Sequence, residues 1–169
     1  MSNPETAPHG SLNFGQVLFS PKGRITQGQF WGGWAALFIA NIVVGFIPVA
    51  GNFLSIALIY VGACIYGKRL HDMGKSGWVH LVPWVVTLII GIGVTVQNYD
   101  AVVAFMELAE SGREPTEEEA LALFSELGPF FFAIVINLLI WLVYTIWVGA
   151  SDSEKFDNRH GSGPVGDAF

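Results

Sequence analysis

Between Phe30 and Gly67 the chain runs for 38 residues without an Asp, Glu, Lys or Arg. Its apolar positions fall in blocks rather than in period-2 or period-3.6 stripes, a pattern that predicts helices facing lipid all round. One helix of that length would reach about 57 Å, nearly twice a hydrocarbon layer of about 30 Å, so the chain must fold back. Pro48-Val49-Ala50-Gly51-Asn52 supplies the break, because proline ends a helix and Gly-Asn favours a turn. The predicted spans are therefore Phe30–Val49 and Phe53 to about Lys68. Trp78–Gln97, with Pro83 near its start, and Pro129–Gly149 add two more. The pattern predicts an all-α, polytopic membrane helical bundle with four transmembrane helices.

The polar stretches divide the rest. Residues 1–29 form an N-terminal segment, 30–149 the membrane domain and 150–169 a glycine-rich polar tail expected to be mobile. Asn98–Gly128, between the third and fourth spans, carries eight carboxylates against Arg113. Thr116 with Glu119 makes a capping box after Pro115, and Ala120, Leu123, Phe124 and Leu127 recur at helical spacing. Val102, Phe105, Met106 and Ala109 do the same before it. This predicts a short amphipathic helical hairpin in the outer loop, hinged at Ser111-Gly112.

Charge then sets an orientation. Seven of the eight basic residues, Lys22, Arg24, Lys68, Arg69, Lys75, Lys155 and Arg159, fall on one face of the four-span topology, and only Arg113 falls on the other. The positive-inside rule makes the first face cytoplasmic, with both termini inside and a bacterial inner membrane as the expected location. Met1–Asn13 lacks an apolar core, so it is not read as a signal peptide, and the first span is expected to direct insertion. A net charge of −6 argues against nucleic acid. Cys64 is the single cysteine and is expected to be a small buried hydrophobe.

The densest polar cluster is Lys68-Arg69-Leu70-His71-Asp72-Met73-Gly74-Lys75-Ser76-Gly77-Trp78, read as the loop between spans two and three. Thr26 with Gln29 forms a capping box opening the first span. Gly23-Arg24-Ile25-Thr26 followed by Phe30-Trp31, together with Arg69 to Trp78, resembles the small bacterial inner-membrane proteins grouped as domain of unknown function 805. Asn158-Arg159-His160-Gly161 is similar to the glycine-rich ends of that family. The chain has Gln27 and Gln29 where the family often shows a basic and an acidic residue. The resemblance implies a four-helix inner-membrane protein and no activity, cofactor or substrate.

Sharper chemistry finds little support. Gly74-Lys75-Ser76 lacks the glycine that a phosphate-binding P-loop needs five positions earlier, where Arg69 stands. His71 and Asp72 have no third ligand at metal-site spacing, so neither metal nor cofactor is expected. Ser76 beside His71 and Asp72 is the only triad candidate, and neighbours so close in sequence rarely attain triad geometry. No span carries an Asp, Glu, Lys or Arg in its interior, which argues against a coupled pump. Asn41 and Asn137 are expected to bond between helices, and Gly32, Ala36 and Ala40 to allow close packing. The structural reading of the cluster has Asp72 pairing with Arg24, Arg69 or Lys75, with Gly74 and Gly77 shaping a turn. The functional reading has Arg24, Arg69 and Lys75, with Ser76 and Trp78, converging on one anionic group. The expected function is a non-enzymatic membrane factor, recognising anionic lipid or a protein partner through its basic face, with membrane lipids, a membrane protein or a second copy as partners. A small transporter or channel, and a membrane-embedded lipid-processing enzyme, are the alternatives.

Overall fold

The protein is described over residues 13–161 of a computed structural model. The first twelve residues and those beyond Gly161 lie outside the described part, and with them the reading of the polar start. Two compact units make up the chain, one running to His80 and resuming at Ile146, the other covering Leu81–Thr145. Among the described residues, four helical stretches are long and apolar enough to cross a membrane.

The first unit opens with a short helix, α1 (Phe14–Phe19), started by Asn13 with Gln16 in a capping box. Thr26 and Gln29 form the predicted box that starts α2 (Gln27–Gly45), one turn earlier than the apolar block alone suggests. The chain turns before Pro48 rather than at Val49, as expected for a residue preceding proline, which disfavours helix. Val49 itself takes φ 57° and ψ −63°, closed by Ala50 N–H donating to Pro48 O at 2.6 Å. That is a γ-turn of the strained hand, carried by a β-branched residue. It launches α3 (Ala50–Asp72), which packs along α2 and α1. Gly33 permits the close approach, since a Cβ there would lie 3.3 Å from Ile65 Cδ1. Gly32, the expected packing site, faces open space. Phe30 is fully buried, with Tyr66 edge-on at 5.2 Å, and Tyr66 in turn stacks on His80 at 4.6 Å. Cys64 is buried, as expected.

α3 overruns its predicted end. Lys68 to Asp72 form its last turn, so half of the supposed loop is helix, and Lys68, Arg69 and Asp72 are buried there. A 3-10 turn at Gly77–His80 follows and leads into the second unit.

That unit contains α4 (Leu81–Gln97), α5 (Tyr99–Ser111), α6 (Glu117–Glu126) and most of α7 (Gly128–Ala150), whose last turn belongs to the first unit. The predicted hairpin is present as α5 and α6. Gly112 ends α5 in the left-handed region at φ 63°, and Thr116 and Glu119 box the start of α6. Arg113 grips the Glu119 carboxylate with both terminal nitrogens at 2.7 and 2.8 Å. Trp141 is the packing residue expected, donating its indole N–H to Thr87 Oγ1 at 3.2 Å. Asn41 and Asn137 depart from expectation: each donates to the carbonyl one turn back in its own helix, Leu37 O at 2.8 Å and Ala133 O at 2.9 Å. A local acceptor one turn away costs no docking of a second helix.

Candidate functional site: a cationic knot at three helix ends

Three cations gather in the first unit, and each one caps a helix C-terminus. The last carbonyls of an α-helix lack intrahelical donors and carry the negative end of its dipole, so a buried cation is best placed there. Lys68, fully buried, donates to Gln16 O at 2.6 Å and Val17 O at 2.5 Å at the end of α1. Tyr60, two turns earlier on α3, adds a bond to Phe19 O at 3.1 Å. Arg69, also fully buried, donates from Nε to Val148 O at 3.2 Å in the last turn of α7 and from Nη2 to Ser151 O just beyond. Arg24 donates from Nη2 to Asp72 O at 3.2 Å at the end of α3. Gln27 does the same work without a charge, its amide reaching Ala150 O at 3.2 Å and Ser151 O at 3.0 Å.

Asp72 is the counter-ion of this group. Its Oδ1 accepts from Arg24 Nε at 3.1 Å, and its Oδ2 accepts from Arg69 Nη1 and from the Ser153 hydroxyl. Ser153 is held by Arg69 Nη1 at 2.9 Å as well. The Arg24 and Asp72 side chains are only 4% and 1% exposed, so this is a buried network with its charges mutually satisfied.

The Leu70–Lys75 sequence closes α3 in a recognisable way. Gly74 N–H donates to His71 O at 3.1 Å and Lys75 N–H to Leu70 O at 2.8 Å, with Gly74 at φ 70°. This is a Schellman cap, which needs glycine at its left-handed position. Gly77 lets the following turn cross α3, since a Cβ there would sit 3.2 Å from His71 Nε2 and 3.7 Å from Gly67 Cα.

Residues 151–161, expected to be mobile, form a strap across this cap. Glu154 N–H donates to Asp72 O at 2.8 Å, and Asn158 donates from Nδ2 to His71 O at 3.0 Å and to Glu154 Oε2 at 2.7 Å. Arg24 Nη1 donates to Phe156 O at 2.8 Å and Gly161 O at 3.5 Å, and Nη2 donates to Glu154 O. The His71 and His160 rings stack at 3.8 Å within 4° of parallel. The carbonyls left free at the end of α3, and the spare donors of Arg24, draw the strap into place.

The anionic group on which Arg24 and Arg69 converge is thus the chain's own Asp72. Lys75 does not join them: it is exposed, with its ammonium 5.7 Å above the Trp147 ring. Trp78 is 77% exposed, Trp31 is 39% exposed, and the Ser76 hydroxyl accepts from Trp78 N–H at 3.4 Å. His71 Nδ1 lies 3.3 Å from Gly23 O, so the imidazole and the Asp72 carboxylate are engaged away from Ser76. Sequence reasoning names Lys68 and Asn158 only as members of motifs, and Ser153 and Glu154 not at all; it gives none of the four a role. The Asn13/Gln16 box ahead of Val17 is the one available signal for α1, whose carbonyls Lys68 serves.

Residues 18–162, which take in both motifs and the strap to its end, match the family described as "Protein of unknown function (DUF805)". The uncharacterized protein YiiR of Escherichia coli strain K12 and that of Escherichia coli O157:H7 are each 40% identical to the chain over 76 residues, or 40% of this chain and 51% of the relative. The chain spans about half the length of these curated relatives. No solved structure matches it. With the family match covering most of the sequence, the chain belongs to the DUF805 family of proteins of unknown function.

Proposed function

We propose that the protein is a non-enzymatic factor of the bacterial inner membrane that recognises anionic phospholipid headgroups at its cytoplasmic face. The observation that carries this reading is the sorting of its cations. Lys68, Arg69 and Arg24 are consumed inside the knot, whereas Lys75 stands exposed above Trp147, with Trp78 exposed three residues on and Lys22 exposed before the first span. An ammonium beside aromatic rings suits the headgroup layer, where rings of this kind settle. Each such lysine gains about 1 kcal/mol from an anionic leaflet. The knot's task in this reading is to hold that surface rigid.

Native mass spectrometry tests it, on protein reconstituted in phosphatidylcholine containing phosphatidylglycerol and then gently extracted. A Lys22→Gln, Lys75→Gln variant should keep several-fold less phosphatidylglycerol than wild type, with an unchanged unfolding temperature. Equal retention would overturn the proposal.

A further inference from the structure

We propose that residues 151–161 are a releasable strap covering a second phosphate position at Arg24, and that protonation of His160 releases it. This rests on the lipid-binding reading above and assigns its regulation.

Arg24 shows what is covered. Both acceptors of its Nη1, Phe156 O and Gly161 O, belong to the strap, as does Glu154 O on Nη2. With the strap lifted, Arg24 keeps Asp72 on Nε and Asp72 O on Nη2, and turns one whole edge of its guanidinium outward. A free guanidinium edge is a fork matched to a phosphate oxygen pair. Glu154 lays its carboxylate over the Schellman cap itself: a Cβ on Gly74 would lie 2.6 Å from Glu154 Oε2.

His160 meets the end of α3 through its ring, stacked on His71, and within the strap it is held in the neutral form. Its Nε2 accepts from Arg159 Nε at 3.0 Å, and its backbone N–H donates to Asn158 Oδ1 at 2.8 Å within the Asn158–Gly161 turn. A proton on Nε2 would set two donors face to face. It would also place an imidazolium flat against His71, beside Arg159 and Arg24, with Glu154 as the opposing charge. Desolvation, then Arg159 and Arg24, hold His160 below its ordinary value, and Glu154 offsets them in part. A histidine depressed in the closed state favours closure above its free value of about 6.5, and that advantage is lost as pH falls below it.

Hydrogen exchange on the full chain in nanodiscs reads the strap directly, through the protection factor of the Glu154 amide, which donates to Asp72 O on α3. Lowering pH from about 7.5 to 5.5, either side of the free histidine value, should cut wild-type protection several-fold, up to the roughly tenfold ceiling that one histidine can supply over that interval. His160→Gln should abolish that dependence. Arg159→Gln removes both the bond and the charge that disfavour the proton, so it should move the midpoint to higher pH. Protection unaffected by pH in wild type, or falling equally in His160→Gln, overturns the latch. Phosphatidylglycerol retained at low pH should rise in wild type and not in Arg24→Gln, and a rise in both overturns Arg24 as the uncovered position. Phosphatidylcholine discs with added inorganic phosphate separate a headgroup from free phosphate. Because exchange is read without any lipid measurement, failure of the lysine surface and failure of the strap remain distinct.

Discussion

Arg24 Nε lies 3.1 Å from Asp72 Oδ1 across 48 positions of sequence, and the same carboxylate serves Arg69 with its other oxygen. Exchanging that carboxylate for a neutral amide would leave two buried guanidinium groups without their counter-ion. Breaking a buried pair from one side costs about 3–5 kcal/mol. Asp72→Asn should therefore lower the unfolding temperature in detergent more than Arg24→Gln does. The Asp72→Asn, Arg24→Gln double variant should lose less than the two single losses added together.

Gly74→Ala tests the cap. The left-handed position costs an L-residue about 1–2 kcal/mol, and the added methyl would also displace the Glu154 carboxylate. Thermal unfolding of Gly74→Ala and of Gly74→Ala, Glu154→Ala should show part of the loss recovered in the double variant. The backbone cost alone should remain.

Lys68→Met removes the donor that ties the end of α1 to α3 while preserving apolar volume. Val17, only 3% exposed, then loses its cover. In a Cys64→Ser background, a cysteine placed at Val17 should resist maleimide with Lys68 present and react readily without it.

Val49→Gly should raise the unfolding temperature. Val49 is the one non-glycine residue with positive φ among those described, and relieving such strain returns about 1 kcal/mol or more, less glycine's own entropic cost.

The orientation has its own test. Cysteines at Ser111, in the hairpin, and at Lys155, in the strap, should label from opposite sides of sealed membrane vesicles that hold the protein. Labelling of both from one side would contradict the four-span topology.

Legibility followed the range of the forces involved. The Thr26 and Thr116 capping boxes and the Gly112 hinge are local features, readable from spacing within a few residues, and each stands where the spacing puts it, whereas the apolar blocks give the helices but miss their ends by about a turn. Pairing of Asp72 with arginine is readable in kind, because a buried carboxylate demands a cation. What eludes the sequence is reach. Nothing near Lys68 announces that it will serve carbonyls at Gln16 and Val17, 52 and 51 positions away, or that Arg69 will serve Ser151, 82 away. Backbone carbonyls are the same at every position, so an acceptor of this kind leaves no mark in the residue string. The strap escapes notice for that reason: its polar composition resembles a free tail, while its anchoring runs largely through main-chain atoms.

The dependence of Arg69 on Val148 and Ser151 has a consequence for biogenesis. Arg69 is made with the second span, and its partners leave the ribosome 79 and 82 residues later. Until they arrive, the guanidinium has its Asp72 counter-ion three residues on but not the carbonyls that complete its hydrogen bonding. A product truncated before Val148 would keep the Arg69–Asp72 pair without those carbonyl acceptors, and so would one whose fourth span failed to insert. The bond between Arg69 and the end of that span would thus be among the last to form, so that the knot near the start of the chain is complete only once its final helix is in place.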